Sequence, residues 1–379
     1  MSAINGMRAK IDNWRGAGPL ICDKPEGHKG LGKIRESVYD PVVLAKMTYP
    51  STVLRLAFLA LCYGAFVSDL SAQTARNSRP MTASPDEKWV IRWNRSDDFN
   101  GTDVDWKKWQ RTPEQFSGWR WDNTRNTATK EGHLEITLRE IAAHQTTEKK
   151  KREEPTRFTS GMLKTYAKGT YGYYEARIKG ASVFPGASPA FWLYSAIDDT
   201  ILTPGEVRYC EIDIVELTQR QSHKEGNERI TDHNLHVILS NGKRGVPGRA
   251  WRRPHHEAFR DAQANEYRAP FDPREDFHTY GCLVVEEEII WYIDGVEVGR
   301  KPNEFWHRPM NVALSLGLRA PYVTWQDNRL VSNADAGAGD FPTSMLVDYV
   351  RVWELEDISK TTRPEQGGAG QPATRAESE

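Results

Sequence analysis

Residues 209–219 read Tyr-Cys-Glu-Ile-Asp-Ile-Val-Glu-Leu-Thr-Gln, and how this stretch folds decides the rest. Ile212, Ile214, Val215 and Leu217 belong in a buried strand, yet Glu211, Asp213 and Glu216 lie among them, where an unpaired charge is costly. Side chains alternate across a strand, so Glu211 and Asp213 share one face and strict alternation would send Glu216 to the other. A β-bulge at Ile214-Val215 adds one residue, returns Glu216 to the face of the other two acids, and keeps Ile212 against the core. The expected result is a row of three carboxylates on the open face of a sheet. Carboxylates that close cannot all ionise with ease, so their proton affinities separate. Glycoside hydrolysis needs such a separation, because one acid attacks the sugar as an anion and another protonates the leaving oxygen. Acids on one strand sit near the separation of roughly 5–5.5 Å that retaining enzymes use. Glu211 is then the nucleophile, Glu216 the acid/base, and Asp213 the residue between them that holds a proton or orients Glu211. An acidic surface strand would alternate simply, and a calcium loop would carry Gly and Asn in place of Ile and Val.

The flanking sequence is strand and turn. Tyr171–Lys179 (YGYYEARIK) and Met345–Trp353 (MLVDYVRVW) are β-prone. Glu288–Arg300 alternates Ile289, Trp291 and Ile293 before Asp294-Gly295, the signature of a tight hairpin. Few segments have a helical period, so a sandwich or barrel is expected. In Asn234–Leu239, Leu235, Val237 and Leu239 read as core, which turns His236 to the open face to assist Glu216 or bind sugar. His233 and His236 would face opposite ways on a strand and form no zinc pair. In Ala190–Tyr194, Phe191 and Leu193 read as core, which turns the Trp192 ring towards substrate.

The chain has 379 residues and a net charge of −1, a balance that argues against nucleic acid as a partner. Thirteen Trp and fourteen Tyr suit sheets and carbohydrate clefts better than helical bundles. Arg55 precedes the apolar run Leu56–Val67 (LAFLALCYGAFV), followed by small and polar residues. This is the layout of a secretory signal over 47–75, cleaved near Ala72 or Ala75; a membrane span needs roughly 20 apolar residues. Met47 is read as the translational start, with 1–46 an extension that a misplaced start codon adds. Residues 76–88 are a linker, 89–357 the catalytic domain, and 358–379 a polar, disordered tail. The mature protein is expected to be secreted or periplasmic, free of the membrane and monomeric. Cys210 and Cys282 remain in it, either bonded or as two buried thiols.

The segment Glu211-Ile212-Asp213-Ile214-Val215-Glu216 resembles the bulged E-x-D-x-x-E signature of glycoside hydrolase family 16. Ser160–Leu163, Tyr171–Arg177, Pro189–Leu193, Phe277–Gly281 with Trp291–Gly295, and Leu346–Val352 resemble other landmarks of the family in its order. The resemblance implies an all-β jelly-roll sandwich of two curved antiparallel sheets with a concave cleft. It also implies endo-acting, retaining hydrolysis of β-linked glucans or galactans, with the carboxylate roles assigned above. No cofactor is implied for catalysis, but a structural Ca²⁺ is, through an Asp equivalent to Asp348 and an acid near the first strand, here Asp98.

Within the family, Phe184–Ser195 and Val215–Gln219 are most similar to the κ-carrageenase branch. Its substrate is sulfated, and Lys243–His256 (KRGVPGRAWRRPHH) is a basic loop that could face sulfate esters. Arg249, Arg252 and Arg253, with Arg260 and Arg268, are the expected partners of the polysaccharide, since Arg forks match such oxyanions. Agarase or porphyranase activity is the second choice. A laminarinase, a transglycosylase and a protein that only binds sugar are the further alternatives.

Overall fold

Short runs of Val, Ile, Tyr and Trp, broken by Gly, Pro and Asp-Gly, favour strands joined by tight turns over helices. The computed structural model describes residues 80–82, 87–115, 118–141, 156–326, 329–333, 335–337 and 339–356. The expected extension, signal peptide and tail (1–46, 47–75 and 358–379) lie outside the described residues, as does part of the linker. Among the described residues, no helix is long and apolar enough to cross a membrane.

The strands, in chain order, are β1 (Trp89–Ile91), β2 (Arg120–Trp121), β3 (Thr127–Lys130), β4 (His133–Glu140), β5 (Phe158–Ser160), β6 (Met162–Gly169), β7 (Gly172–Lys179), β8 (Ala187–Tyr194), β9 (Val207–Leu217) and β10 (Ile230–Asp232). They continue with β11 (Leu235–Ser240), β12 (Arg249–Arg252), β13 (Glu266–Arg268), β14 (His278–Val284), β15 (Glu288–Ile293), β16 (Val296–Pro302), β17 (Met310–Leu318), β18 (Val323–Gln326), β19 (Arg329–Ser332) and β20 (Thr343–Leu355). One sheet runs β12-β11-β9-β8-β17-β6, with β10 joining β9 and β13. The second runs β16-β15-β14-β7-β20-β4-β5-β2, with β1 on β20 and β3 on β4. Apart from the two-residue pairing of β2 with β5, the ladders are antiparallel. The Asp294-Gly295 turn joins β15 to β16 with both residues at positive φ (49° and 79°), as the sequence predicts for a primed hairpin turn. The result is the two-sheet β-sandwich expected of the chain.

The core lies between the sheets. Phe191, Leu193, Ile212, Leu235, Val237 and Leu314 from one sheet, and Ala176, Ile178, Tyr280, Val350 and Val352 from the other, are buried. Cys210 and Cys282 are two buried free thiols, which settles the alternative left open by the sequence. Burial pushes the Cys210 thiol up to about 11, so neither it nor Cys282 is a nucleophile at neutral pH.

The bulge is present. Phe191 pairs with Val215 and Trp192 with Asp213, which leaves Ile214 as the extra residue of β9. A bulge disturbs the ladder, and its backbone groups need other partners. Trp291 Nε1, from the opposite sheet, donates to the Asp213 carbonyl at 2.9 Å. His233 Nδ1 lies 2.6 Å from the Ile214 carbonyl, while its Nε2 lies 2.8 Å from the Thr231 hydroxyl. Burial lowers the His233 pKa to about 4 and keeps the ring neutral, so one nitrogen donates to Ile214 and the other accepts from Thr231. Trp306 Nε1 donates to the Glu211 carbonyl at 2.8 Å. Three donors outside the β9–β8 ladder thus hold β9.

Trp291→Phe keeps most of the ring volume and removes the donor to Asp213. Its unfolding free energy in urea should fall by about 1–3 kcal/mol, the cost of an unpaired buried carbonyl. Unchanged stability would show that the bulge does not depend on this bond.

Candidate active site

Residues directly opposite on paired strands project to the same face. On β9, Glu211 lies opposite Tyr194, Asp213 opposite Trp192 and Glu216 opposite Ala190; on β11, His236 lies opposite Glu211. The three acids therefore share the outer face of the sheet with Trp192, Tyr194 and His236. The side chains of Glu211 and Glu216 are 18% and 16% exposed and that of Asp213 is 5% exposed.

The row manages its charge in three ways. First, burial pushes the Asp213 carboxyl well above the usual range, and the flanking Glu216 and Glu211 charges add to this. Second, His236 Nε2 lies 3.2 Å from Asp213 Oδ2 and 3.6 Å from Glu211 Oε1. Burial alone would depress this imidazole, but Glu211, Asp213 and Glu216 outweigh it and raise the pKa to about 9. His236 is therefore a cation at neutral pH; the sequence reading had it assist Glu216 or bind sugar, and its side-chain contacts are with Asp213 and Glu211. Third, the Tyr209 hydroxyl donates a short hydrogen bond to Glu211 Oε2.

Beyond β9 the chain turns sharply. Thr218 has φ +56°, uncommon for a β-branched residue, and its buried hydroxyl donates to the Ala187 carbonyl at 2.6 Å. This turn delivers Gln219, whose Nε2 lies 2.5 Å from Ser188 Oγ. Gln219 Oε1 accepts from Arg319 Nε at 2.6 Å, and Arg319 Nη2 reaches Glu216 Oε1 at 2.6 Å. Glu216 is thus oriented by a guanidinium that follows β17. Sequence reasoning missed Arg319, because its partner is 103 residues away and no local pattern links them.

Trp192 stacks on Tyr194 with ring centroids 4.4 Å apart and donates to Ser315 Oγ at 3.1 Å. Tyr194 in turn donates to Glu114, which also binds Lys164. From Glu211, an aromatic path runs through Tyr209 to Trp251 at 6.1 Å. Arg253 lies between Trp251 (4.9 Å) and Trp325 (5.8 Å), linking β12 to the β18–β19 hairpin.

The other arginines of the basic stretch are placed differently. Arg249 forms a bidentate pair with Asp199 at 2.6 and 2.9 Å. Arg252 lies opposite Val237, on the face away from His236, over the rings of Phe305 and Phe259. Arg268 donates to the Gly226 carbonyl at 2.5 Å. Arg260 is exposed and near enough to His255 to lower its pKa, together with burial and His236. Arg253 and Arg260 keep an open role at the site, whereas Arg249, Arg252 and Arg268 are engaged by protein groups.

The calcium expectation does not fit its two residues. Asp98 pairs with Arg351 at 2.8 Å and Asp348 with Arg177 at 2.8 Å, so each carboxylate already has a cationic partner. Among the described residues one group of three or more potential metal donors exists, Glu211, Asp213 and His236, with donor atoms within 4.8 Å of one another. A protonated imidazole cannot ligate a metal, so the high pKa of His236 suits a proton-sharing row.

A family model described as "Beta-porphyranase A-D, GH16 domain" matches residues 89–355. The chain is 45% identical over 286 residues to a κ-carrageenase of Pseudoalteromonas carrageenovora, covering 74% of this chain and 68% of that protein. It is 27% identical to β-porphyranase E of Zobellia galactanivorans, over 72% of this chain and 90% of that protein. The crystal structure of the P. carrageenovora κ-carrageenase in complex with a κ-carrageenan oligotetrasaccharide superposes with a TM-score of 0.65 at 45% identity. That match covers 73% of this chain and 99% of that one.

His236 gains charged partners on folding, and its pKa rises from 6.5 to about 9. Its stabilising contribution is complete below pH 6.5 and is lost as pH rises through 9. The stability difference between the wild type and His236→Gln, measured in urea, should therefore be large at pH 6 and shrink by pH 10. A difference independent of pH would contradict the charge assignment.

Proposed function

The chain belongs to glycoside hydrolase family 16, and from that membership we propose that it is an endo-acting, retaining hydrolase of a sulfated red-algal galactan, κ-carrageenan first. The observation that carries this reading is the intact row Glu211, Asp213 and Glu216 on one face of β9, made by the bulge at Ile214.

In the reaction, Glu211 attacks the anomeric carbon while Glu216 gives its proton to the departing glycosidic oxygen. A glycosyl ester forms on Glu211. Glu216, now a base, takes a proton from water, and the resulting hydroxide releases the sugar. The Tyr209 hydroxyl donates to Glu211 and keeps its charge aimed, and Asp213, whose proton affinity is raised by burial and by both glutamates, lies between them on the strand. His236 offsets the negative charge of the row while Glu211 is an anion.

The substrate assignment rests on kinship and charge. The relatives named above act on red-algal galactans, the κ-carrageenase at the higher identity. Arg253, lying 4.9 and 5.8 Å from two tryptophan rings, carries a planar fork of the kind that grips sulfate esters, next to rings on which sugars stack. Arg260, which is exposed, is a further cation for the polymer. A galactan too large to cross a membrane also favours action outside the cell. Porphyran or agarose is the second reading, favoured by the porphyranase description of the family model. A purely sugar-binding role would not need three acids set in this geometry.

Incubation with κ-carrageenan, agarose, porphyran and laminarin in parallel, with sizing of the products, tests the assignment. Rapid shortening of κ-carrageenan is expected, and cleavage of laminarin alone would overturn it. Glu211→Gln should lower reducing-end release by at least about 10³-fold, as loss of a nucleophile does; undiminished release would remove Glu211 from its role.

A further inference from the structure

The catalytic row has a sideways extension. On β10, Asp232 lies directly opposite Glu216, and on β13 Glu266 lies directly opposite Asp232. Three carboxylates thus cross three neighbouring strands on one face. Asp232 is 4% exposed. Arg220 clamps it with two bonds, Nη1 to Oδ2 at 3.0 Å and Nη2 to Oδ1 at 3.1 Å, and Nη2 also binds Glu266. One guanidinium shared by two carboxylates leaves this group with a net negative charge facing Glu216. On its other flank, Glu216 meets the positive charge of Arg319 at 2.6 Å.

We propose that Asp232, clamped by Arg220, is a positioning residue for the acid/base: its charge faces Glu216 across the β9–β10 ladder and keeps the catalytic proton there against the pull of Arg319. The inference rests on the assignment of Glu216 as acid/base. A guanidinium bonded to a carboxylate favours its ionised form, and a buried anion opposite favours its acid form. An acid catalyst that carries an Arg partner needs such a counterweight to hold its proton near neutral pH. Arg220 allows Asp232 to be a buried anion without itself neutralising the whole group.

The remaining charges around the pair are accounted for. Glu211 and Asp213 lie along β9, and His236 comes from β11. His255, from the loop after β12, has its pKa lowered by burial, His236 and the Arg220 and Arg260 charges, while Glu216 opposes them. Burial raises the Asp232 pKa to about 6, with Arg220 opposing and Glu216 and Glu266 adding to the rise. Asp232 is therefore mostly ionised above pH 6, the range in which its charge would matter.

The test compares wild type, Asp232→Asn and Asp232→Glu in the full chain. The kcat/KM for polymer cleavage is followed against pH on the polymer the wild type cuts. A nitrophenyl glycoside of an oligosaccharide of that polymer provides a substrate whose leaving group needs no proton. Asp232→Asn should leave polymer cleavage near the wild-type value at pH 6 and lower it roughly tenfold at pH 8, the size expected of one nearby charge in a half-buried site. The nitrophenyl substrate should be cut normally at both values, which also shows that the variant folds. Asp232→Glu should keep the wild-type profile. Equal losses for Asn and Glu, losses shared by the nitrophenyl substrate, or an unmoved alkaline limb would each overturn the role. A wild type that cut none of the four polymers would overturn the functional reading and this inference with it.

Discussion

The β9 ladder cannot pass Ile214 in register with β8, and the site follows from that misfit. One extra residue in a buried strand turns Glu216 to the side of Glu211 and Asp213 while Ile212, Ile214, Val215 and Leu217 all stay buried. The disturbance falls on backbone groups in the middle of a sandwich, where unpaired carbonyls are costly. Trp291 reaches across the core for one of them and a neutral His233 takes the next. The second sheet thus helps to hold the bulge that lines up the three acids.

Charge is the second constraint. Three acids on one strand, with a fourth opposite the last, would repel one another without compensation. The compensation is uneven along the row: a cationic His236 and a Tyr209 hydroxyl at the Glu211 end, Arg319 at the Glu216 end. Asp213, the most buried of the three, has its proton affinity pushed up by burial and by the two glutamates. This asymmetry suits one anion and one acid, the pair that retention requires.

Much of this was legible in the sequence because the strand period is short and strict. The two-then-three spacing of Glu211, Asp213 and Glu216 has a single simple reading, and alternation placed Trp192 and His236 on the same face. What alternation cannot give is the partner across a ladder. His236 was expected to assist Glu216 or bind sugar, and register sets it opposite Glu211. Arg319, Gln219 and Asp232 reach the site through turns and neighbouring strands whose pairing no local pattern encodes. The basic stretch misled for a related reason: Arg249 looked available until the fold set Asp199 beside it, 50 residues away in sequence. Asp98 and Asp348 met Arg351 and Arg177 in the same way.

The anomeric form of the first sugar released tests the bulge most directly, because it reports the gap between the two acids. Proton NMR during the first turnovers, before mutarotation, distinguishes the anomers. If one added residue brings Glu216 beside Glu211, the new reducing end appears as the β-anomer. An α-anomer appearing first would mean that water enters between widely spaced acids, and the arrangement described for β9 could not be the one that acts.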